Sequence, residues 1–204
     1  MEKHVTHIHP PRGFSLGIRE LWQYRELFYF FTWRDIKVKY KQTYLGILWA
    51  VLQPLLMMLL FTLIFSKTWK IDTGTVVYPV FVLSGLIIWG LFSSCVSHAG
   101  ESMIQNANII KKIYFPRLII PGSSVLLALF DFMMGLVVFI IFCFIYHQPL
   151  AINAIIYFPA GILLIVLAGF GAGTFLAALN VKYRDFSYVI PFGLQIVFFS
   201  SQVI

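Results

Sequence analysis

Long runs of apolar residues constrain the fold of this chain more than any other feature of its sequence. Five such runs, at about residues 47–65, 78–96, 118–146, 152–179 and 188–204, contain very few charged side chains. A helix needs about 20 apolar residues to cross a bilayer, and its backbone groups have to be satisfied within the segment. The sequence therefore predicts an all-α integral membrane protein, a polytopic helical bundle whose fifth span is incomplete.

The overall composition excludes an ordinary soluble domain. Of the 204 residues, 60% are hydrophobic and only 11% are charged, which leaves too few polar side chains to cover a soluble surface. The formal net charge is +7, but the basic residues lie mainly between the apolar runs. Positive charge in that position is typical of membrane topology and does not indicate nucleic acid as a partner.

The distribution of basic residues predicts the orientation of the chain. If the runs cross the membrane alternately, only Lys67 and Lys70 of the 15 Lys and Arg residues fall on one side. Loops rich in Lys and Arg stay in the cytoplasm. We therefore expect a cytoplasmic N-terminus and a multi-pass location in a bacterial inner membrane.

The first 45 residues contain two segments that precede the first span. A polar tail at 1–17 is followed by Ile18–Trp33, in which apolar residues recur every three or four positions and predict an amphipathic helix in the interface plane. A soluble helix packed on a partner is the alternative. Arg34–Lys41 is basic and would attract anionic headgroups. We assign 1–17 to the tail, 18–45 to the interfacial unit and 46–204 to the transmembrane domain.

The loop at 97–117 is too polar to cross the membrane. Met103, Ala107 and Ile110 share one face of a helix, and Pro116 marks a break before the next span. The loop is therefore predicted to hold a short amphipathic helix on the cytoplasmic side.

Motifs for catalysis are scarce. The sequence lacks the glycine-rich phosphate loop that ends in Lys and Ser or Thr, so ATP hydrolysis is not expected from this chain. His98 and Glu101 form a weak candidate for a membrane enzyme.

Asp131 is the ionised residue deep in a predicted span, where it either lies on a transport path, locks the bundle, or sits in water near one end. Gly169 and Gly173, extended by Ala177, predict close helix packing.

Several stretches of the sequence resemble one transporter family. The segment RDIKVKYKQTYLGILWA, followed by QPLLMMLLFTLIF, is similar to the permease subunits of type-2 ATP-binding cassette (ABC) exporters, in particular those that export O-antigen, capsule or teichoic acid chains. YPVFVLSGLIIW, NANIIKKIYFPR and YRDFSYVIPFGLQ continue the resemblance in order, from about Leu21 to Gln195.

This resemblance implies a permease and not an enzyme. It implies a homodimer that associates with two copies of a separate ATPase, which uses the ATP, and that moves a lipid-linked polysaccharide; no cofactor or metal is expected in the permease. In the family a coupling helix lies between spans two and three. Here that helix would be Ser97–Lys112, with contacts to the ATPase from Glu101, Met103, Gln105, Asn106, Asn108, Lys111 and Lys112.

The aromatic content suggests how a polysaccharide would be held. Because 18% of the residues are aromatic, we expect Tyr44, Trp49 and Trp89 to stack on sugar faces, with Asp131 on the same transport path.

The family continues beyond the fifth span to a sixth, whereas this sequence stops at SSQVI, so we expect a C-terminally truncated chain. The alternatives are an exporter of the same fold for a drug or lipid, an integral membrane glycosyl or acyl transferase, and a structural membrane subunit.

Overall fold

The computed structural model describes residues 18–41, 46, 48–68, 77–148 and 154–201, and within these ranges all regular structure is α-helical. This result confirms the predicted all-helical bundle. The helices are α1 (Ile18–Gln23), α2 (Arg25–Lys41), α3 (Leu48–Thr68), α4 (Tyr78–Gln105), α5 (Ala107–Ile110), α6 (Ile119–Ile145), α7 (Ala154–Lys182) and α8 (Phe186–Ser200).

Within the described residues, three of the five predicted spans are helices long and apolar enough to cross a membrane. They are Tyr78–Gln105, Ile119–Ile145 and Ile156–Lys182, with 28, 27 and 27 residues. At 1.5 Å per residue each is about 40 Å long, which exceeds the hydrocarbon thickness of about 30 Å. The apolar stretches Leu48–Ile64 and Phe186–Ser200 are shorter. The described residues of α4, α6 and α7 therefore have the length and apolar composition of a span, while the apolar stretches of α3 and α8 belong to shorter helices of the same bundle.

Helix α4 lies at the centre of the bundle and packs against α3, α6, α7 and α8. One stripe of α4, with a residue at every fourth position from Leu83 to Ala99, supplies five of its ten buried residues, as expected for a helix face turned to its neighbours. The largest core cluster joins this stripe to α6 and consists of Leu83, Ile87, Leu91, Cys95, Ala99, Val125, Ala128, Phe132 and Val138.

Glycines on α7 allow it to approach α4 closely. A Cβ atom added to Gly169 would lie 2.7 Å from Cys95 Cβ, and one added to Gly173 would lie 2.7 Å from Ala99 Cβ. Ala177 continues the same stripe and is 1% exposed. Small side chains let two helix backbones approach closely. In lipid the hydrophobic effect does not drive helices together, so van der Waals contact between the close backbones stabilises the interface instead. The predicted close packing through these small residues is therefore present between α7 and α4.

The N-terminal helices differ from the sequence prediction in their boundaries. A turn at Tyr24 separates α1 from α2, and α2 continues through the basic segment to Lys41 as one helix. Phe31, which belongs to the predicted apolar face, is 2% exposed and packs with Ile119 and Ile120 at the start of α6. The position of this segment in the plane of the membrane interface stays a prediction. The helix prediction was correct, but sequence periodicity could not say whether lipid or protein covers the apolar face.

The cytoplasmic loop predicted at 97–117 also begins differently. The second span was predicted to end near residue 96, whereas α4 continues without interruption to Gln105. The helix breaks at Asn106, whose side-chain amide donates to Ser102 O at 2.9 Å. Only the four-residue α5 follows before Pro116 and the start of α6. The prediction of a separate helix from Ser97 to Lys112 is therefore wrong, because polar residues on α4 did not end it.

The turn after α6 is set by local backbone chemistry. His147 has a φ of +50°, and its N–H and that of Gln148 donate to Phe144 O and Cys143 O. These two bonds form a Schellman motif, which satisfies carbonyl groups at the end of a helix. The third span was predicted to end at about residue 146, which agrees with the end of α6 at Ile145, and residues 149–153 lie outside the described ranges.

Candidate functional site

A cavity of about 680 Å³ lies between α3, α4, α6 and α8, with the C-terminal end of α2 at one edge. Its walls are mostly apolar and aromatic. The lining includes Lys39, Tyr40, Trp49, Gln53, Phe61, Trp89, Ser93, Ser94, Asp131, Gln195, Phe198 and Phe199. Cavities of 300–1,000 Å³ with apolar walls and a few polar groups are typical of small-ligand sites.

The structure brings together three of the four residues predicted to lie on a transport path. Trp49 on α3, Trp89 on α4 and Asp131 on α6 all line this cavity. Tyr44 lies outside the described residues. Because the three come from three helices, only the packing of the bundle places them side by side. Their function in transport stays a prediction.

Aromatic rings form much of one wall. The ring of Phe198 lies 5.4 Å from that of Trp89 and 6.3 Å from that of Phe61, and Trp89 also contacts Phe92 at 5.7 Å. Trp49 is 46% exposed and is available to a ligand. Rings of this kind bind the apolar faces of sugars, and the Trp N–H remains free to donate a hydrogen bond where a partner is present.

Asp131 is held at the edge of the cavity by two residues of α2. Lys39 Nζ lies 2.6 Å from Asp131 Oδ2, and the Tyr40 hydroxyl donates a hydrogen bond to Asp131 Oδ1. The side chains of Lys39 and Asp131 are 37% and 18% exposed. The aspartate is therefore a paired group that joins α2 to α6, which is one of the functions predicted for it. Such pairing reduces the cost of a carboxylate within a membrane bundle.

Tyr40 remains a neutral donor in this cluster. Burial raises the pKa of its hydroxyl above the ordinary value of 10.0, and the hydrogen bond to Asp131 and the charge of that carboxylate raise it further. All three effects oppose formation of a phenolate beside another anion. Tyr40 therefore keeps its proton, and its hydroxyl can hold Asp131 across the physiological pH range.

The residues predicted to contact an ATPase do not share one environment. Gln105, Asn108, Lys111 and Lys112 are exposed, whereas Glu101 and Met103 are half-buried and Asn106 is buried. Glu101 accepts a hydrogen bond from Gln105 Nε2 at 3.1 Å. The exposed members could meet a partner directly. Asn106 could not do so without rearrangement, because both ends of its amide are bonded inside the protein.

Arg34 connects α2 to this segment. Its Nη2 atom donates to Asn106 Oδ1 at 2.7 Å and also pairs with Asp35 Oδ1 at 2.7 Å. The guanidinium lies 4.8 Å from the centre of the Phe31 ring. Helix α2 thus touches the break after α4 through Arg34 and the cavity through Lys39 and Tyr40.

A second buried polar contact joins three helices near the same end of α4. Asn180, which is 0% exposed, donates from Nδ2 to Gly100 O at 3.1 Å and accepts from Ser187 Oγ at 3.0 Å. The fourth span was predicted to end at about residue 179, but α7 extends to Lys182 and places Asn180 on its α4-facing side. The predicted end of this span is therefore three residues too early.

Sequence reasoning missed Lys39, Tyr40 and Asn180. Lys39 and Asp131 are separated by 92 positions, and Tyr40 and Asp131 by 91, so no local pattern pairs them. The burial of Asn180 had one available signal, since an Asn at the end of a small-residue stripe continues the face that packs. No described group of three or more His, Cys, Asp or Glu side chains is placed to hold a metal ion.

Comparison with known proteins adds independent information. Residues 26–204 match the family described as ABC-2 type transporter. Two proteins from Klebsiella pneumoniae, each named O-antigen export system permease protein RfbA, are 31% and 30% identical over 171 residues, which is 84% of this chain. A protein of the same name from Myxococcus xanthus is 29% identical over 187 residues, or 92% of this chain and 71% of its own length.

The chain spans 65% of the length of both Klebsiella relatives. The matched region includes every helix from α3 to α8, and it includes Lys39, Tyr40 and Asp131. The cavity and its polar edge therefore lie within the part of the chain that matches the family.

Proposed function

This chain belongs to the ABC-2 type transporter family, and on that premise we propose that it is the permease subunit of an ATP-driven exporter for a lipid-linked polysaccharide of the O-antigen, capsule or teichoic acid type. Two lines of support stand beside the family membership. The relatives above are named O-antigen export permeases. The cavity between α3, α4, α6 and α8 also has the lining that a sugar needs.

The observation that carries the proposal is the composition of this cavity. Trp49, Trp89 and Phe198 present aromatic faces, while Gln53 and Gln195 supply neutral hydrogen-bonding groups among the same walls. Sugars bind to such mixtures because their C–H faces stack on rings and their hydroxyls pair with amides. Neutral, stacked contacts also hold a sliding polymer only weakly at each site.

Replacing the two tryptophans that line the cavity tests the proposal. Trp49→Ala and Trp89→Ala should each reduce polymer export, because each ring contributes about 0.5–1.5 kcal/mol of stacking, or about two- to tenfold in affinity. Trp49→Phe should retain most export. The measurement is the amount of polysaccharide at the cell surface, with permease abundance determined by immunoblot.

Trp33→Ala is the matched control. Trp33 is 47% exposed but lies on α2 and does not line the cavity. The proposal predicts normal export for this variant. Unchanged polysaccharide export in the double Trp49→Ala, Trp89→Ala variant would contradict the sugar path. If the permease transported a lipid or drug as well as it transports the polysaccharide, that alternative cargo would be favoured.

We also propose that ATP is hydrolysed by two separate ATPase chains that meet a permease homodimer in the inner membrane. The exposure of Gln105 and Asn108 supports these residues as contact points, and Lys111 and Lys112 extend the same exposed segment. Cysteines at Gln105 and Asn108 should cross-link to a co-purified ATPase, whereas a cysteine at buried Asn106 should not. Failure of every exposed position from residue 105 to 112 to cross-link would contradict this contact.

A further inference from the structure

The polar edge of the cavity contains more donors than Asp131 requires. One oxygen of the carboxylate, Oδ1, accepts from the Tyr40 hydroxyl, and the other, Oδ2, accepts from Lys39 Nζ at 2.6 Å. An ammonium carries three donor hydrogens, and this pair uses one of them. The ammonium at the cavity edge therefore has donor hydrogens with which it can begin to bind another anionic oxygen before it leaves Asp131.

Lys39 differs from the neighbouring cations of α2 in where its charge lies. Lys37 Nζ is 5.1 Å from the Trp33 ring, and Arg34 is bonded to Asp35 and Asn106. Lys39, at 37% side-chain exposure, is the cation found among the described residues that line the cavity. Its position places one positive charge next to walls that, apart from Asp131, are aromatic, apolar or neutral.

Asp131 opposes that charge only in part. A carboxylate that pairs with Lys39 also repels any second anion that enters, so the cluster favours an anionic group yet keeps its affinity low. Tyr40 matters because its neutral hydroxyl continues to satisfy Asp131 when the Lys39 ammonium turns toward a ligand. The pair can therefore open without leaving an isolated buried carboxylate, which would be costly.

We propose that Lys39 is the group that binds the phosphate of a phosphate-linked lipid saccharide in this cavity, in exchange for its contact with Asp131. This inference rests on the proposed export function and names the part of the substrate that a sugar-stacking wall does not recognise. The sugar faces lie on Trp49 and Trp89, and the charged linker lies at Lys39. Asp131 keeps the phosphate from being bound too tightly to leave.

If the Lys39–Asp131 ion pair were purely structural, Asp131→Asn would change phosphate binding in the direction opposite to that expected from the proposal. If the pair only locks α2 to α6, then Lys39→Gln and Asp131→Asn both break it and should have the same effect. If Lys39 binds phosphate, Asp131→Asn removes a competitor and a repulsive charge while retaining an acceptor for Tyr40. The two substitutions then change phosphate affinity in opposite directions.

Direct binding to the purified chain tests this without transport or an ATPase. The chain is reconstituted in phosphatidylcholine nanodiscs, and binding of radiolabelled farnesyl diphosphate is measured at equilibrium. We expect Lys39→Gln to weaken binding by about tenfold, since it removes a charge-assisted hydrogen bond. We expect Asp131→Asn to strengthen binding by about threefold or more. Lys41→Gln, on the same helix but outside the cavity lining, should bind as the unsubstituted chain does.

Competitors identify the source of the phosphate. Farnesol, which lacks the diphosphate, should not compete, whereas inorganic pyrophosphate should compete weakly through the same ammonium. Discs that contain phosphatidylglycerol should leave binding unchanged. Strong competition by phosphatidylglycerol would assign the site to bulk lipid headgroups and overturn the saccharide linker as the ligand.

Other outcomes would also overturn the proposal. They are unchanged binding by Lys39→Gln, weaker binding by Asp131→Asn, effective competition by farnesol, and absence of binding to the unsubstituted chain. If Lys39→Gln does not fold, Lys39→Arg and Asp131→Asn decide the question. Lys39→Arg should bind farnesyl diphosphate within about threefold of the unsubstituted chain, and Asp131→Asn should still bind it more tightly. Failure of the tryptophan variants to alter export would instead contradict the sugar path while leaving this binding result intact.

Discussion

The close contact between α7 and α4 gives a prediction that can be worked from distances. At Gly173 an added Cβ atom would lie 2.7 Å from Ala99 Cβ and 3.1 Å from the backbone oxygen of Cys95. Carbon atoms pack at about 3.5–4.0 Å, so α7 has to move away by about 1 Å to accept an alanine. Overpacking of this kind costs about 1–3 kcal/mol.

Gly171 on the same helix supplies a matched control. A Cβ added there meets no atom within 4 Å. Alanine is favoured over glycine in a helix by about 1 kcal/mol, and that gain is common to both substitutions. The difference in unfolding free energy between Gly171→Ala and Gly173→Ala therefore isolates the clash, and Gly173→Ala should be less stable by about 1–3 kcal/mol.

The assay is reversible unfolding in mixed detergent micelles, followed by circular dichroism, with both variants measured beside the unsubstituted chain. Gly171→Ala should be equal to or more stable than the unsubstituted chain. If Gly173→Ala proves as stable as Gly171→Ala, then α7 and α4 do not approach at this position, and the account of the small-residue stripe is wrong.

Three other predictions concern buried polar contacts. Asn180→Ala should lower the unfolding free energy by about 1–3 kcal/mol, because Ser187 and Gly100 lose a buried partner. Asn108→Ala, at an exposed position, should change the unfolding free energy little. Equal losses of unfolding free energy in the two variants would refute this prediction. The contribution of Tyr40 to stability should be constant below about pH 10 and fall above it, because the unfolded state loses the Tyr40 proton first. The pH-dependent unfolding curve of Tyr40→Phe should therefore fall less above about pH 10. Arg34→Met should increase hydrogen exchange at the helix break after α4, and unchanged exchange would contradict a contact that holds it.

Much of the helical architecture was available from the sequence. The apolar runs predicted helices at α3, α4, α6, α7 and α8, and the Gly169–Gly173 spacing predicted a tight interface before its partner was known. These features are local, because hydropathy, helix periodicity and small-residue spacing are properties of contiguous residues.

Helix ends were less predictable. Polar residues after residue 96 and at Asn180 suggested loops, yet α4 and α7 continue through them. Polar side chains do not end a helix when tertiary contacts satisfy them, as Gly100 and Ser187 do for Asn180. A sequence shows that such a residue is polar but not whether a neighbouring helix supplies its partner.

The sequence by itself determined that this chain is an apolar helical bundle, because every membrane-length segment must satisfy its own backbone. It also supplied Trp49, Trp89 and Asp131 as candidate residues, although it could not place them together. Only the tertiary structure decided that they share one cavity and that Lys39 and Tyr40 hold Asp131 at its edge. The physical reason is that side-chain partners 91 and 92 positions apart meet through helix packing, which no local pattern of residues encodes.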